Sequence, residues 1–432
     1  MSTRHVVFGL TVSLVLTCFI GQANAVELNV LYTDPNFLKN VQEEIARKFK
    51  SVRPDVNVHL RVVADYDQAI QSALRDGLTG GLPDLAFHGI FYLPVLVERK
   101  LIVPLDGYAL ADSDWYKTNF SEPTRDIGKL DGKIYGIPFA VSLPTVFYNL
   151  DLVKQAGGDP ARLPATWDEL SALSKRITAP SGGIYFTYES TANWSFAALL
   201  QSLGSSLMNS DRKKIGFDNA KGIRALDILR QIGEARHGND MSKAQARQAF
   251  SAGSLGILID SASGLANYET QAGNRFRIRT APMPIEAADN GSLPPTGNVG
   301  VIFAADPSKQ QAAWDYLKFA TGPEMQTLMA IKTGYAPTSQ IAVSRDDLLG
   351  GFYQKHPNSR IVVDEFKLMR AWSGFPGDDA FRLNEDILNE LQAVVTLRRT
   401  PADALTNMVK DTTARLPKQD DGGASSKSVR DQ

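Results

Sequence analysis

The sequence predicts an α/β protein of two lobes, and three observations carry that prediction. The chain opens strand, helix, strand. Residues 28–32, apolar except for Asn29, read as a strand, residues 37–49 set Leu38, Val41, Ile45 and Phe49 on one helical face, and residues 56–63 alternate apolar with polar. A βαβ opening implies that a parallel sheet follows. Further on, residues 129–157 read as a turn at Asp131-Gly132, a short strand 134–137 stopping at Pro138, a second strand 145–149 and then a helix. Two strands in series before a helix suggest a chain crossing between lobes. Finally, about 400 residues exceed the size at which one core keeps growing, so two cores are the default.

The first 25 residues carry Arg4, an apolar run over 6–20 and Ala23-Asn24-Ala25. That is the layout of a secretory signal peptide cleaved after Ala25, with an apolar run too short to be a comfortable membrane span. The competing readings are an uncleaved anchor and lipid attachment at Cys18, whose neighbours Thr17, Phe19 and Ile20 fit a lipidation site poorly. Cys18 is the sole cysteine, so the exported remainder forms no disulfide and must be stabilised by packing. The whole chain has 46 basic and 47 acidic residues; the leader holds only Arg4, which leaves 45 against 47. Such a balance carries no signature of nucleic-acid or anionic-membrane binding. Residues 418–432, KQDDGGASSKSVRDQ, cannot build a core and are expected to form a disordered tail.

The alternation continues with a helix over 66–74, a strand over 82–87 and an apolar helix over 92–98. Thr166 and Glu169 form a capping box that starts a helix running through Leu173. A helix ends at Ala252-Gly253 and a strand follows over 255–259. It opens into Ser261-Ala262-Ser263-Gly264, a place where a doubly wound sheet offers backbone donors to a ligand. Strands over 277–284 and 300–304 and helices over 312–319 and 323–331 complete the pattern.

The string KLDGKIYGIPFAVSLPTVFYNLDLVKQAG over 129–157 closely resembles the crossover of bacterial extracellular solute-binding protein family 1, receptors that hand sugar-like solutes to ABC importers. LKFATGPEMQ over 317–326 and KTGYAPT over 332–338 add to the likeness, and the order of the matches is its specific part. The resemblance implies the two-lobed periplasmic binding protein fold, type II-like, with a ligand cleft between the lobes and three crossings: near Pro138, near Pro284 and after Pro337. The expected division is a signal peptide over 1–25, one lobe from 26–137 with 285–337, a second from 138–284 with 338–417, and the tail. In the C-terminal third, Gly334-Tyr335-Ala336-Pro337, GFYQKHP over 351–357, Phe381-Arg382-Leu383 and RTPADAL over 399–405 resemble the glycerol-3-phosphate-binding branch. By that resemblance Tyr66, Ser142, a serine of the Ser261 to Ser263 loop, Gly297, Tyr335 and Arg382 match ligand-contacting positions. One departure is Ile90, which stands where that branch has an acid for the glycerol hydroxyls.

The residues themselves supply the chemistry a sugar site needs, which is aromatic faces against C–H surfaces and polar groups for hydroxyls. Tyr66, Trp194, Tyr335 and Trp372 are the aromatic candidates; Trp194 has a polar approach through Thr191-Ala192-Asn193. Ser261 and Ser263 join them as hydroxyl donors. Arg382 is suited to gripping an anion or a pair of hydroxyls, or to an ion pair with Asp378 or Asp379. Ser142 lacks a Gly-x-Ser-x-Gly elbow, and the histidines lie at no metal-ligand spacing. The expectation is therefore a non-enzymatic, monomeric receptor without cofactor or metal, the periplasmic substrate-binding component of an ABC transporter. Its partners would be a sugar-like small molecule and the permease's transmembrane subunits. The alternatives are a glycerol-3-phosphate or glycerophosphodiester receptor, a secreted carbohydrate-active enzyme, and a partner of a chemoreceptor.

Overall fold

The computed structural model describes residues 25–33, 35–372, 374–377 and 379–417. The leader with Cys18, and the segment 418–432, lie outside the described residues. The N-terminal helix Pro35–Val52 buries Leu38, Val41, Ile45 and Phe49, as their spacing requires, and Phe49 meets Tyr316 edge to face at 5.0 Å. The helix covers a six-stranded sheet with the order Ala336–Pro337, Ile137–Ser142, Thr296–Ile302, Leu85–Gly89, Val26–Tyr32, Val56–Val62. A separate four-stranded sheet has the order Ile278–Pro282, Pro144–Asn149, Ile257–Ser261, Ile184–Phe186. Each sheet with its helices makes one lobe of the α/β fold.

Neither sheet is wholly parallel, which corrects the parallel sheet inferred from the opening. Val26–Tyr32 pairs in parallel with Val56–Val62 and with Leu85–Gly89, but Thr296–Ile302 runs antiparallel to both its neighbours. Parallel pairing needs a crossover within the lobe, whereas this strand arrives from the other lobe and is free to run the opposite way.

The strand expected to stop at Pro138 runs through it to Ser142 and stays in the first sheet. Proline lacks the ladder N–H and is tolerated where a strand is irregular. Here the register against Thr296–Ile302 shifts between Asn298 and Val299, directly opposite Pro138 and Ala140. The first crossing therefore lies at Leu143, not at Pro138, since Pro144 already belongs to the second sheet. The return passage also comes later than Pro284. Residues 286–293 still bond to the second lobe, through Glu286 and Ser292 amides to Ser202 and Gln201 carbonyls. Likewise Ser339 and Gln340 remain tied to Asn119 and Thr118 of the first lobe, so the third crossing lies beyond Pro337 and beyond the helix Gln340–Ser344.

Thr166 and Glu169 form the reciprocal capping box, and its helix runs over Trp167–Arg176, past Leu173. The helices Ala220–Glu234, Ala380–Val395 and Pro401–Arg415 pack together on the second lobe. Across the interface, Phe91 tilts against Trp372 and Tyr92 against Phe381, each with ring centroids 5.9 Å apart. Among the described residues no helix is long and apolar enough to cross a membrane.

Candidate functional site

Where the two sheets face each other, strand ends and helix starts converge. Gly89 and Ser261 end strands, and Thr296 begins one. Tyr66, Trp194 and Lys243 each open a helix, namely Tyr66–Thr79, Trp194–Ser202 and Lys243–Ala252. Such ends leave backbone groups unspent by the ladders, which is why crevices there collect polar ligands. All of these residues but Gly89 line a cavity of about 130 Å³ whose walls come from both lobes.

Aromatic side chains form part of the wall. Tyr66 lies edge-on to Phe91, with centroids 5.7 Å apart, and its hydroxyl accepts from Asn298 Nδ2 at 3.2 Å. Trp194 is held by its Nε1, which donates to the Pro294 carbonyl at 2.9 Å, so the segment returning between the lobes orients the indole. Tyr335 is buried and lines the cavity as well.

A chain of hydroxyls joins the sheets beneath the cavity. Ser142 and Ser261 pair at 2.7 Å, Ser261 and Ser263 at 2.8 Å, and the Ser263 amide donates to Ser142 Oγ at 3.2 Å. Gly297 lines the cavity with φ of 115°, and a Cβ there would sit 2.0 Å from the Ala140 carbonyl oxygen, so no other residue fits.

Charge enters from one helix. Arg247 grips Asp260 with Nε to Oδ2 at 2.7 Å and Nη2 to Oδ1 at 3.1 Å, and the Tyr268 hydroxyl donates to the same carboxylate at 2.5 Å. Burial opposes the charge on Asp260, but the guanidinium outweighs it and holds the carboxyl below its ordinary value. The Arg247 guanidinium also lies 6.0 Å over the Phe37 ring of the opposite lobe. Lys243, one helical turn earlier, and Asp65, which caps the Tyr66 helix, line the cavity too.

Residues 44–358 match the model of the bacterial extracellular solute-binding protein family. The chain belongs to that family. This solute-binding protein is 24% identical over 440 residues to the sn-glycerol-3-phosphate-binding periplasmic protein UgpB of Salmonella typhimurium, covering 95% of this chain and 96% of that one. It is 24% identical over 413 residues to a lactose-binding protein of Rhizobium radiobacter, covering 91% and 93%. Its fold matches that of UgpB from Mycobacterium tuberculosis, solved in complex with glycerophosphocholine. The TM-score is 0.79 at 18% identity, over 90% of this chain and 98% of that one.

Of the residues expected at the site, Tyr66, Trp194, Ser261, Ser263, Gly297 and Tyr335 line the cavity of this solute-binding protein. Ser142 is fully buried one layer behind, positioning the two serines. Trp372 stands outside, backing Phe91 and donating from Nε1 to the Pro295 carbonyl at 2.9 Å. Arg382 does not line it: the helix Ala380–Val395 buries Leu383, Ile387 and Leu391, which turns position 382 outward. The cations at the cavity are Lys243 and Arg247 instead, and carboxylates arrive from Asp65 and Asp260 although Ile90 supplies none.

Gly334 lets the lobes meet. A Cβ on it would lie 2.1 Å from the Ala262 carbonyl oxygen of the other lobe, yet its own φ is not in the left-handed region. Gly334→Ala is thus expected to oppose approach of the lobes without straining its own backbone. Solute affinity should fall about tenfold while the ligand-free melting temperature stays nearly constant. Calorimetric titration beside a thermal melt checks this, and unchanged affinity would show that the contact plays no part in binding.

Proposed function

We propose that this protein is the periplasmic substrate-binding component of an ABC transporter that imports a sugar or sugar-like solute, taken up as a neutral, hydroxyl-rich group. The observation that carries the reading is the cavity's chemistry. Aromatic faces from Tyr66, Trp194 and Tyr335 stand beside hydroxyls from Thr187, Ser190, Ser261 and Ser263, with Lys243 and Arg247 balanced by Asp65 and Asp260. Aromatic rings cover C–H surfaces, while serine, threonine and paired charges satisfy hydroxyls in both directions. Lactose binding by a relative agrees with it. Solute contacts to both lobes favour their closed arrangement, and the closed form is what a permease would engage.

No chemistry on the solute is implied. The Ser142 hydroxyl is engaged by Ser261 and Ser263 rather than by a base. Export with cleavage after Ala25, action as a monomer, and delivery to permease subunits without a cofactor complete the proposal.

A glycerophosphodiester is the second reading. It is favoured by Lys243, whose ammonium has no ion pair among the described residues and lies one turn from Arg247. A thermal-shift screen against lactose, maltose, sn-glycerol-3-phosphate and glycerophosphocholine separates the two, since selective binding to the folded state raises the melting temperature with concentration. Neutral sugars alone should raise it, and a rise with phosphates alone would replace the first reading with the second. Lys243→Met then provides the check on charge. It should change affinity for a neutral sugar by less than about threefold, but weaken binding of a phosphate by more than about tenfold through loss of a charge-assisted hydrogen bond.

A further inference from the structure

Phe91, which lines the polar cavity, also lines a second cavity between the lobes, of about 440 Å³. Leu74 and Val95 approach from the first lobe, Phe375, Ala380 and Phe381 from the second, and Glu98, Arg99 and Asn384 supply its polar groups. The backbone joining the two cavities is held in a costly shape. Thr191 lines the polar one and Ala192 the apolar one, and Ala192 and Asn193 follow each other at φ of 52° and 57°. Consecutive left-handed residues other than glycine are disfavoured, and such strain gathers at ligand clamps. Asn193 maintains it by donating from Nδ2 to Asn384 O at 3.1 Å and Oδ1 at 3.0 Å.

We infer that the solute is amphipathic: its hydroxyl-rich head occupies the polar cavity and an uncharged apolar substituent passes Phe91 into the second one. This rests on the solute-receptor reading above and narrows the class of solute. A head group alone would leave the apolar wall of the larger cavity, Leu74, Val95, Phe375, Ala380 and Phe381, facing water. An aryl or alkyl substituent removes that surface from water.

The test uses the full mature protein and matched probes, methyl against phenyl β-D-galactoside, methyl against phenyl β-D-glucoside, and glycerol-3-phosphate against its phenyl ester, by calorimetric titration. Whichever head binds, its phenyl form should bind about tenfold or more tightly than its methyl or free form. Ala380→Phe and, from the other lobe, Val95→Phe should erase that advantage while leaving the smaller form unchanged. Equal or weaker binding of phenyl forms overturns the inference and leaves the receptor reading standing. If no head group binds, the sugar and glycerophosphate readings fail, and 2-naphthol alone decides the compartment. Saturable fluorescence binding lost in Ala380→Phe keeps it, and no such binding ends it.

Discussion

Replacing Arg247 with alanine is expected to lower the free energy of unfolding by about 3 kcal/mol, because it strips the partner from a buried charge. The Asp260 side chain is 1% exposed and is the last but one residue of a strand buried throughout. With the guanidinium gone, only the Tyr268 hydroxyl and neighbouring backbone remain to hold the carboxylate, which must then take up a proton or remain charged without compensation. The pair's pH signature has a definite sign. Asp260 has a folded pKa below its ordinary value of 3.8, so in the wild type its contribution is present above that value and is lost as pH falls through the lowered one. In Arg247→Ala the advantage disappears. Arg247→Lys keeps the charge but not the two-pronged geometry and should fall between them. Denaturant titration of both variants, of Asp260→Asn and of Arg247→Ala with Asp260→Asn measures this. The double variant should recover much of the loss, and strictly additive losses would show that the two residues are not coupled.

Glu365→Gln is expected to stabilise the protein by about 2 kcal/mol at neutral pH, where the wild-type carboxyl must bind a proton to remain buried. Glu365 is 3% exposed in the turn Glu365–Leu368, and its carboxyl oxygens make no well-formed hydrogen bond among the described residues, the Met283 backbone offering only a weak contact that partly offsets the burial. Burial first, and Asp364 beside it second, push its pKa up from 4.5 to about 8. A raised folded pKa means that the native state binds the extra proton across that window. Wild-type stability therefore declines as pH climbs from about 4.5 to about 8 and is level with respect to this group above it. Glutamine does not titrate, so the gap between variant and wild type should widen over that window. Parallel stability curves would show that Glu365 is ionised in the folded protein.

Residues whose role depends on local period were legible in the sequence. Leu38, Val41, Ile45 and Phe49 share a helical face, and Thr166 with Glu169 spells a cap. Pro138 misled because a proline ordinarily ends a strand, and the register shift that accommodates it is made by a strand about 160 residues later. Lys243 and Arg247 were invisible for a different reason. On a helix with a polar face they look like solvated charges, and only the approach of the other lobe makes them walls of a cavity. Asp260 did leave a signal, an acid closing the apolar run Ile257-Leu258-Ile259, since a buried carboxylate has to find a cation. Arg382 rested on resemblance, and the stripe formed by Leu383, Ile387 and Leu391 argues against it.

Leu143 is the whole link between the strand Ile137–Ser142 of one sheet and Pro144–Asn149 of the other, and every residue from 137 to 149 is buried. A joint with one residue of slack behaves like an axle. Sliding and separation of the two plates are forbidden there, and rotation is the freedom that remains. A solute arriving in the cleft need not gather two independent bodies, so little of its binding free energy is lost to ordering them. Substitutions near Leu143 that never touch the solute then become a way to adjust the open-to-closed ratio.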